Sequence, residues 1–502
     1  MKSSEPEARM TRTRRIWEVS VLVALSLTTV YSATELENPW IVLIVMGVLG
    51  FFLLVPNLGH AAIVQPFRLV RSIAWWQGLW FVMLMGGLVF RARTASEISQ
   101  SPVDVLALFR ISCMLLVAAV LFFRLTLRRT SWLPFLFSGL IGIFSLFGLV
   151  SLLSTVWSVN PPWTLYKSLE FLTDVAVVAG IVATLESVEE YRKFVNWTWI
   201  LLGLVVASAW VGALVDPSKA LFGDLNLRSA PLPLRLQGVM PVVPFNELSE
   251  ISAILALISL CRLWIDPSSQ LKKTWYRLLF VASIITLAIT QTRGAYASFA
   301  VGLVVLLVFA RRYLVLAVGG ILASGAGMLL LMFTNFGPRM REFLLRGETT
   351  EAAGGLSGRL DVWQLSIQKI LEKPVTGYGG FAGARFAVLT KNTTWSDALN
   401  LYIDAMLNIG VLGLLLLLVL VASIGWMLFR SVYRASATPS ESYLAMELSL
   451  AFTIIVISSM ESGAIITHPM LSFLILLAFA EFLRRRHKIR NVQPQLIELT
   501  AR

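Results

Sequence analysis

The chain alternates long apolar runs with short polar joints. Runs of about 20 apolar residues, the length that crosses a bilayer as a helix, recur from the N-terminal third to residue 483. The pattern predicts about 14 spans, near 17–33, 40–56, 73–90, 103–123, 132–156, 163–185, 194–215, 246–265, 275–291, 294–310, 313–333, 400–429, 443–466 and 469–483. In hydrocarbon only helices and closed barrels satisfy every backbone polar group. The fold class expected is therefore an all-α polytopic membrane protein. One polar interval breaks the rhythm. It runs over 334–399 and carries GETTEAAGGLSGRLDVW, KPVTGYGGFAGARF and WSDALN. A loop of that length is usually functional or disordered. Trp363, Tyr378, Phe381, Phe386 and Trp395 argue against disorder, which is poor in aromatics.

The expected organisation is helices 1–11 over 1–333 with an external loop at 216–245, a large loop or cap over 334–399, helices 12–14 over 400–483, and a solvated cytoplasmic tail over 484–502. The prolines from Pro231 to Pro244 rule out a regular helix in that external loop. Composition agrees with a membrane protein: of 502 residues 57% are hydrophobic and 14% charged, where a soluble chain carries about 25% charged residues.

The net charge of +13 changes the picture only through its placement. Arg68 and Arg71, Arg124, Arg128 and Arg129, Arg192 and Lys193, Lys272 and Lys273, Arg311 and Arg312, and Arg430 and Arg434 fall in alternate joints. That is the topogenic pattern of cytoplasmic loops, not a nucleic-acid footprint. It places both termini inside and the long loop outside. The basic N-terminus followed by an apolar run to about Ala33 is expected to be a retained first span. Cys113 and Cys261 sit in apolar runs and read as packed thiols, and His60, His468 and His487 form no metal-ligand spacing.

Candidate chemistry gathers on the external side. Asp397, Asn400, Asp404 and Asn408 are spaced so that one continuous helix would put them on one face at the mouth of span twelve. The bland alternative is a helix N-cap with interhelical hydrogen bonds, and for Asn408 it is preferred. Arg293 in TQTRGAYASF lies at the external end of a span, against the topogenic preference. Arg235 in RLQG and Arg359 in GRLDVW are further external arginines, whose planar donors suit phosphate. Lys167, Glu170 and Asp174 share a face and read as an internal ion pair. Arg110, Glu247, Glu250, Glu447 and Glu461 are other ionisable groups in or beside spans, some of them expected to be structural pairs. No phosphate-binding GxxxxGK[ST] loop and no GxSxG elbow occurs.

Five stretches in order, WSVNPPWTLYKSL, RLQG with PFNELS, TQTRGA, GRLDVWQLSIQKILEKPVTGYGGFAGARF and ALNLYIDAMLNIGVLGLL, resemble the O-antigen ligase and Wzy-type polymerase superfamily from about Trp157 to Gly413. The resemblance implies a metal-independent glycosyltransferase, with no cofactor, in the bacterial inner membrane and active at its periplasmic face. Its donor would be a glycan on undecaprenyl diphosphate. Its acceptor would be lipid A-core for a ligase, or another lipid-linked repeat unit for a polymerase of O-antigen or exopolysaccharide. The resemblance implies that Arg235 and Arg293 hold the donor diphosphate and that Asn400 is the Asn of a His-Asn pair; Arg359, Asn246 and Asp404 are further candidates for binding substrate. The preceding position is Leu399 and the long loop holds no histidine. Asp397 is the nearest replacement base, and the reading leans to a polymerase, with a chain-length regulator as a partner. A transporter or lipid-linked sugar flippase is the rival of another class. It expects pseudo-symmetric halves and broken helices. A non-catalytic assembly partner is the third reading.

Overall fold

The computed structural model describes residues 75–88, 96–97, 104–128, 132–222, 234–239, 242–265, 270–322, 359–389, 397–433, 438–461 and 471–500. The spans expected near 17–33 and 40–56, the first part of the long loop, and Trp395 lie outside them. The chain divides into two units. In the first, α1 (Trp75–Leu88) and α2 (Val105–Arg128) are helices, and Cys113 on α2 abuts Gly86 on α1.

The second unit holds α3 (Gly139–Leu153), α4 (Pro161–Thr184), α5 (Val188–Val215), β1 (Leu221–Phe222), β2 (Arg235–Leu236), α6 (Phe245–Ile265), α7 (Gln270–Thr290), α8 (Arg293–Phe309), α9 (Tyr313–Leu322), α10 (Arg359–Glu372), α11 (Leu401–Tyr433), α12 (Pro439–Ser458) and α13 (Leu471–Thr500). Among the described residues, seven helices are long and apolar enough to cross a membrane: α2, α3, α5, α6, α7, α11 and α12. The expected span over 294–310 is α8, shorter at 17 residues. Large apolar side chains stand exposed on these helices, Leu214 at 84% and Trp426 at 62% among them. A water-facing surface would not carry them at that density, and a lipid-facing one does.

Local chemistry sets the helix ends. Asn160 caps α4, accepting from the Trp163 amide at 3.2 Å, with Pro161 and Pro162 at the first turn. Ser187 and Glu190 form a capping box on α5. The proline-rich external loop contributes a short antiparallel ribbon, Leu221 opposite Leu236 and Phe222 opposite Arg235.

Charged groups pair along and between the helices. Lys167 pairs with Glu170 along α4, as expected, and lies over the Trp163 and Tyr166 rings. Glu447 on α12 accepts from Arg262 on α6 and from the Trp199 indole on α5, and Arg262 also donates to Asn196 at 2.7 Å. Glu481, fully buried on α13, accepts from Arg484 and Arg485 and from the Leu140 amide at the head of α3. Arg486 adds an ion pair to Glu441. Over the residues expected to form the tail, 484–502, the helix α13 runs on to Thr500. Pairs three and four residues apart, Glu481 with Arg484 and Arg485, support its continuation.

Candidate functional site

The second half of the long loop is folded and docked. From α10 the chain passes through Gly377 (φ +63°) and Phe381 (φ +61°) into a wide turn over Gly383–Val388. Two tryptophans fasten it to α4 and the turn before it: Trp157 donates its indole N–H to the Thr376 carbonyl at 3.1 Å, and Trp163, in the first turn of α4, donates to the Phe381 carbonyl at 3.0 Å. The Val159 amide donates to the Tyr378 carbonyl and the Gly380 amide to the Ser154 hydroxyl. The Tyr378 hydroxyl donates to Glu372 at 2.7 Å. Burial and that carboxylate push the Tyr378 phenol up to about 12, so it remains a donor at ordinary pH.

The same segment inserts into a break in α11. Ile409 and Gly410 leave helical geometry, Gly410 at φ +67°. The Tyr378 and Gly379 amides donate to the carbonyls of Leu407 and Asn408, Val411 donates to Pro374, and the Asn408 side chain accepts from the Gly383 amide at 3.0 Å. Backbone groups freed inside an apolar helix are thus taken up by the docked segment. The preference for a structural Asn408 agrees with this geometry.

The expectation that Asp397, Asn400, Asp404 and Asn408 share one helical face is corrected. The helix starts at Leu401, after a Leu399 at φ +55°. Asn400 is its cap, with its side-chain oxygen accepting from the amides of Tyr402 (3.0 Å) and Ile403 (3.2 Å). Asp397 precedes the helix and accepts from the Leu399 amide at 2.9 Å. Asp404, only 1% exposed, accepts from the Ala398 amide at 2.9 Å. It grips the strand of chain that carries Asp397, rather than lining an open surface.

The other candidates meet around this junction through intermediaries. Gln291 (φ +51°) donates to the Leu234 carbonyl beside Arg235, whose guanidinium lies 5.0 Å from the Phe245 ring. Thr292 makes a long 3.4 Å bond to the Asn246 side chain. Arg293 and Gly294 open α8, and the Gly294 backbone packs on the Glu461 carboxylate, where a Cβ would collide with it. Glu461 in turn pairs with Arg359 at 3.0 Å. The residue before it, Met460, accepts a long 3.4 Å bond from Asn400, and Ser459 accepts from the Leu401 amide at 2.9 Å. Five separated stretches therefore converge at the ends of α6, α8, α10, α11 and α12.

Gln291 and Thr292 are participants that pattern reading does not single out, and Glu461 is singled out only as an ionisable group in or beside a span, with no partner named for it. The only sequence signal of Glu461 is an acid where an apolar run ends. Gln291 and Thr292 flank Arg293 and have no signal of their own.

Residues 278–418 match the family model described as O-antigen ligase, Wzy_C. The matched stretch contains Gln291–Gly294, Arg359, the docked segment and Asn400, and stops short of Glu461. No curated protein matches the chain.

Proposed function

Because the chain belongs to the O-antigen ligase and Wzy-type superfamily of membrane proteins, a group of membrane enzymes of polysaccharide assembly, we propose that it is a glycosyltransferase working at the extracytoplasmic face of the inner membrane. Its donor is an oligosaccharide on undecaprenyl diphosphate. The acceptor hydroxyl attacks the anomeric carbon, the bond to the diphosphate breaks, and the lipid diphosphate leaves with the electron pair. Arg235, Arg293 and Arg359 bind and neutralise that leaving group. Asn246 and Asn400 lie among them toward substrate, and Asp404 acts through Ala398 by holding the Asp397 segment. Asp397 takes the proton of the acceptor hydroxyl.

The observation that carries this reading is the convergence at Glu461 and Met460, which joins the Arg293 hairpin, the Arg359 helix and the Asn400 cap. Of the two activities in the superfamily, polymerisation is favoured by Leu399, which stands where ligases carry histidine. The test is transfer from a lipid-linked oligosaccharide by the protein in vesicles, with either a second lipid-linked unit or lipid A-core as acceptor. Chain extension supports the polymerase. Transfer only to lipid A-core makes it a ligase. Retained activity in Arg293→Ala removes that arginine from the mechanism, and Arg293→Lys is expected to recover little because a point charge lacks the fork.

A further inference from the structure

The carboxylate of Glu461 sits where an anion is expected and no substrate group is needed to put it there. Its partner Arg359 Nη1 is 3.0 Å away, and the two side chains are 37% and 19% exposed. The pair is partly exposed, not sealed in the bundle. On its other side the carboxylate lies against Gly294, the second residue of α8. The first turn of a helix presents unpaired amides and the positive end of its dipole, which favour an anion.

The usual occupant of that place is the capping side chain, and here it is turned away. Thr292 is the cap residue of α8 but makes no side-chain cap bond. Its hydroxyl is directed instead to Asn246 and to the Thr290 carbonyl. The head of α8 is thus left to another acceptor, and Gly294 has no side chain to hold that acceptor off. Ala in its place would put a Cβ 2.5 Å from the Glu461 carboxyl carbon. An arginine, a helix head that the Thr292 side chain does not cap and a close-packed glycine surround one partly exposed carboxylate.

Resting on the donor reading above, we propose that Glu461 holds, in the ligand-free protein, the place that a phosphate group of the lipid-linked donor takes on binding. A phosphate carries more charge than a carboxylate and more acceptor oxygens, so it meets the Arg359 fork and the α8 head more fully. An ion pair that water still reaches is worth less than a sealed one, so the exchange costs less than breaking a buried pair. Glu461 then moves off Arg359. The chain itself therefore competes with the donor for one subsite.

The alternative role for Glu461 is a brace that holds Arg359 in position, and the two roles differ in sign. The experiment is binding of a short-chain polyprenyl diphosphate, with the polyprenyl alcohol as control, to the full chain in nanodiscs. If Glu461 is a stand-in, Glu461→Gln removes the competing charge and tightens binding roughly two- to fivefold. Glu461→Ala moves in the same direction, and Arg359→Ala weakens binding. If Glu461→Gln weakens binding in step with Arg359→Ala, or leaves it unchanged, the proposal is overturned. Wild-type protein that fails to prefer the diphosphate over the alcohol sinks the donor reading itself, and this inference with it.

Discussion

The Gly379 amide donates to the carbonyl of Asn408 at 2.9 Å, across a gap of 29 residues and into the middle of a helix. That carbonyl would normally accept from within α11. It is free because Ile409 and Gly410 leave the helical region. The docked segment and the helix break are therefore one feature: neither satisfies its backbone polar groups without the other.

Gly377 is where this joint tolerates least. Its φ of +63° is the left-handed region, and a Cβ there would stand 2.6 Å from the Asn408 carbonyl oxygen. The left-handed conformation alone costs a non-glycine residue about 1–2 kcal/mol, and the backbone contact adds to it. Gly377→Ala is expected to lower the thermal midpoint in detergent and to expose 373–389 to protease. A midpoint equal to wild type would show that the segment can dock elsewhere.

The Glu447 network makes a second stability claim. Glu447 is buried and accepts from both Arg262 and Trp199. Removing one partner strands the other charge, at a cost of roughly 3–5 kcal/mol. Glu447→Ala should therefore be far more damaging than the double change Arg262→Met with Glu447→Leu, which removes both charges. Thermal unfolding of the three proteins decides it. Equal losses in single and double variants would mean that the charges are not the issue.

Seven of the expected spans are long apolar helices among the described residues, each set by its own apolar run. The run expected over 246–265 is a helix over Phe245–Ile265, and 400–429 starts one residue later at Leu401. The break at Gly410 is not legible, since LNIGVLGLL reads as unbroken apolar helix and its cause lies about 30 residues upstream. The site divides the same way. Arg293 stands out in the sequence as an arginine against the expected charge pattern, and Arg235 and Arg359 as further arginines in loops expected to be external. Glu461 does not, because its meaning comes from Gly294 and Arg359 on two distant elements. The four-residue polar spacing from Asp397 to Asn408 misleads, because spacing implies a shared face only if the helix is continuous.

Sidedness is checked by cysteine labelling of intact cells. Val375 is 68% exposed and belongs to the side assigned as external, and Lys272 is exposed on the side assigned as internal. Val375→Cys should react with an impermeant maleimide, and Lys272→Cys only after lysis. The reverse pattern would invert the topology and put the proposed site on the cytoplasmic face.

The last prediction separates two neighbours that the sequence groups together. Asn400 caps α11 through its side-chain oxygen, so Asn400→Ala should cost about 1 kcal/mol of stability in addition to any loss of turnover. Asp397 is not the cap. It accepts from the Leu399 amide in a local turn that Asn makes equally well. Asp397→Asn keeps that bond and the size of the side chain, and removes its charge and with it the ability to take a proton. If Asp397 is the general base, this variant should keep the wild-type thermal midpoint and donor binding while losing roughly 10²–10⁴-fold in turnover. Glycan transfer in vesicles, measured beside the thermal midpoint, reads both quantities on one sample. Turnover at the wild-type level would leave Asp397 as a turn residue, and transfer would then proceed without a base at that position.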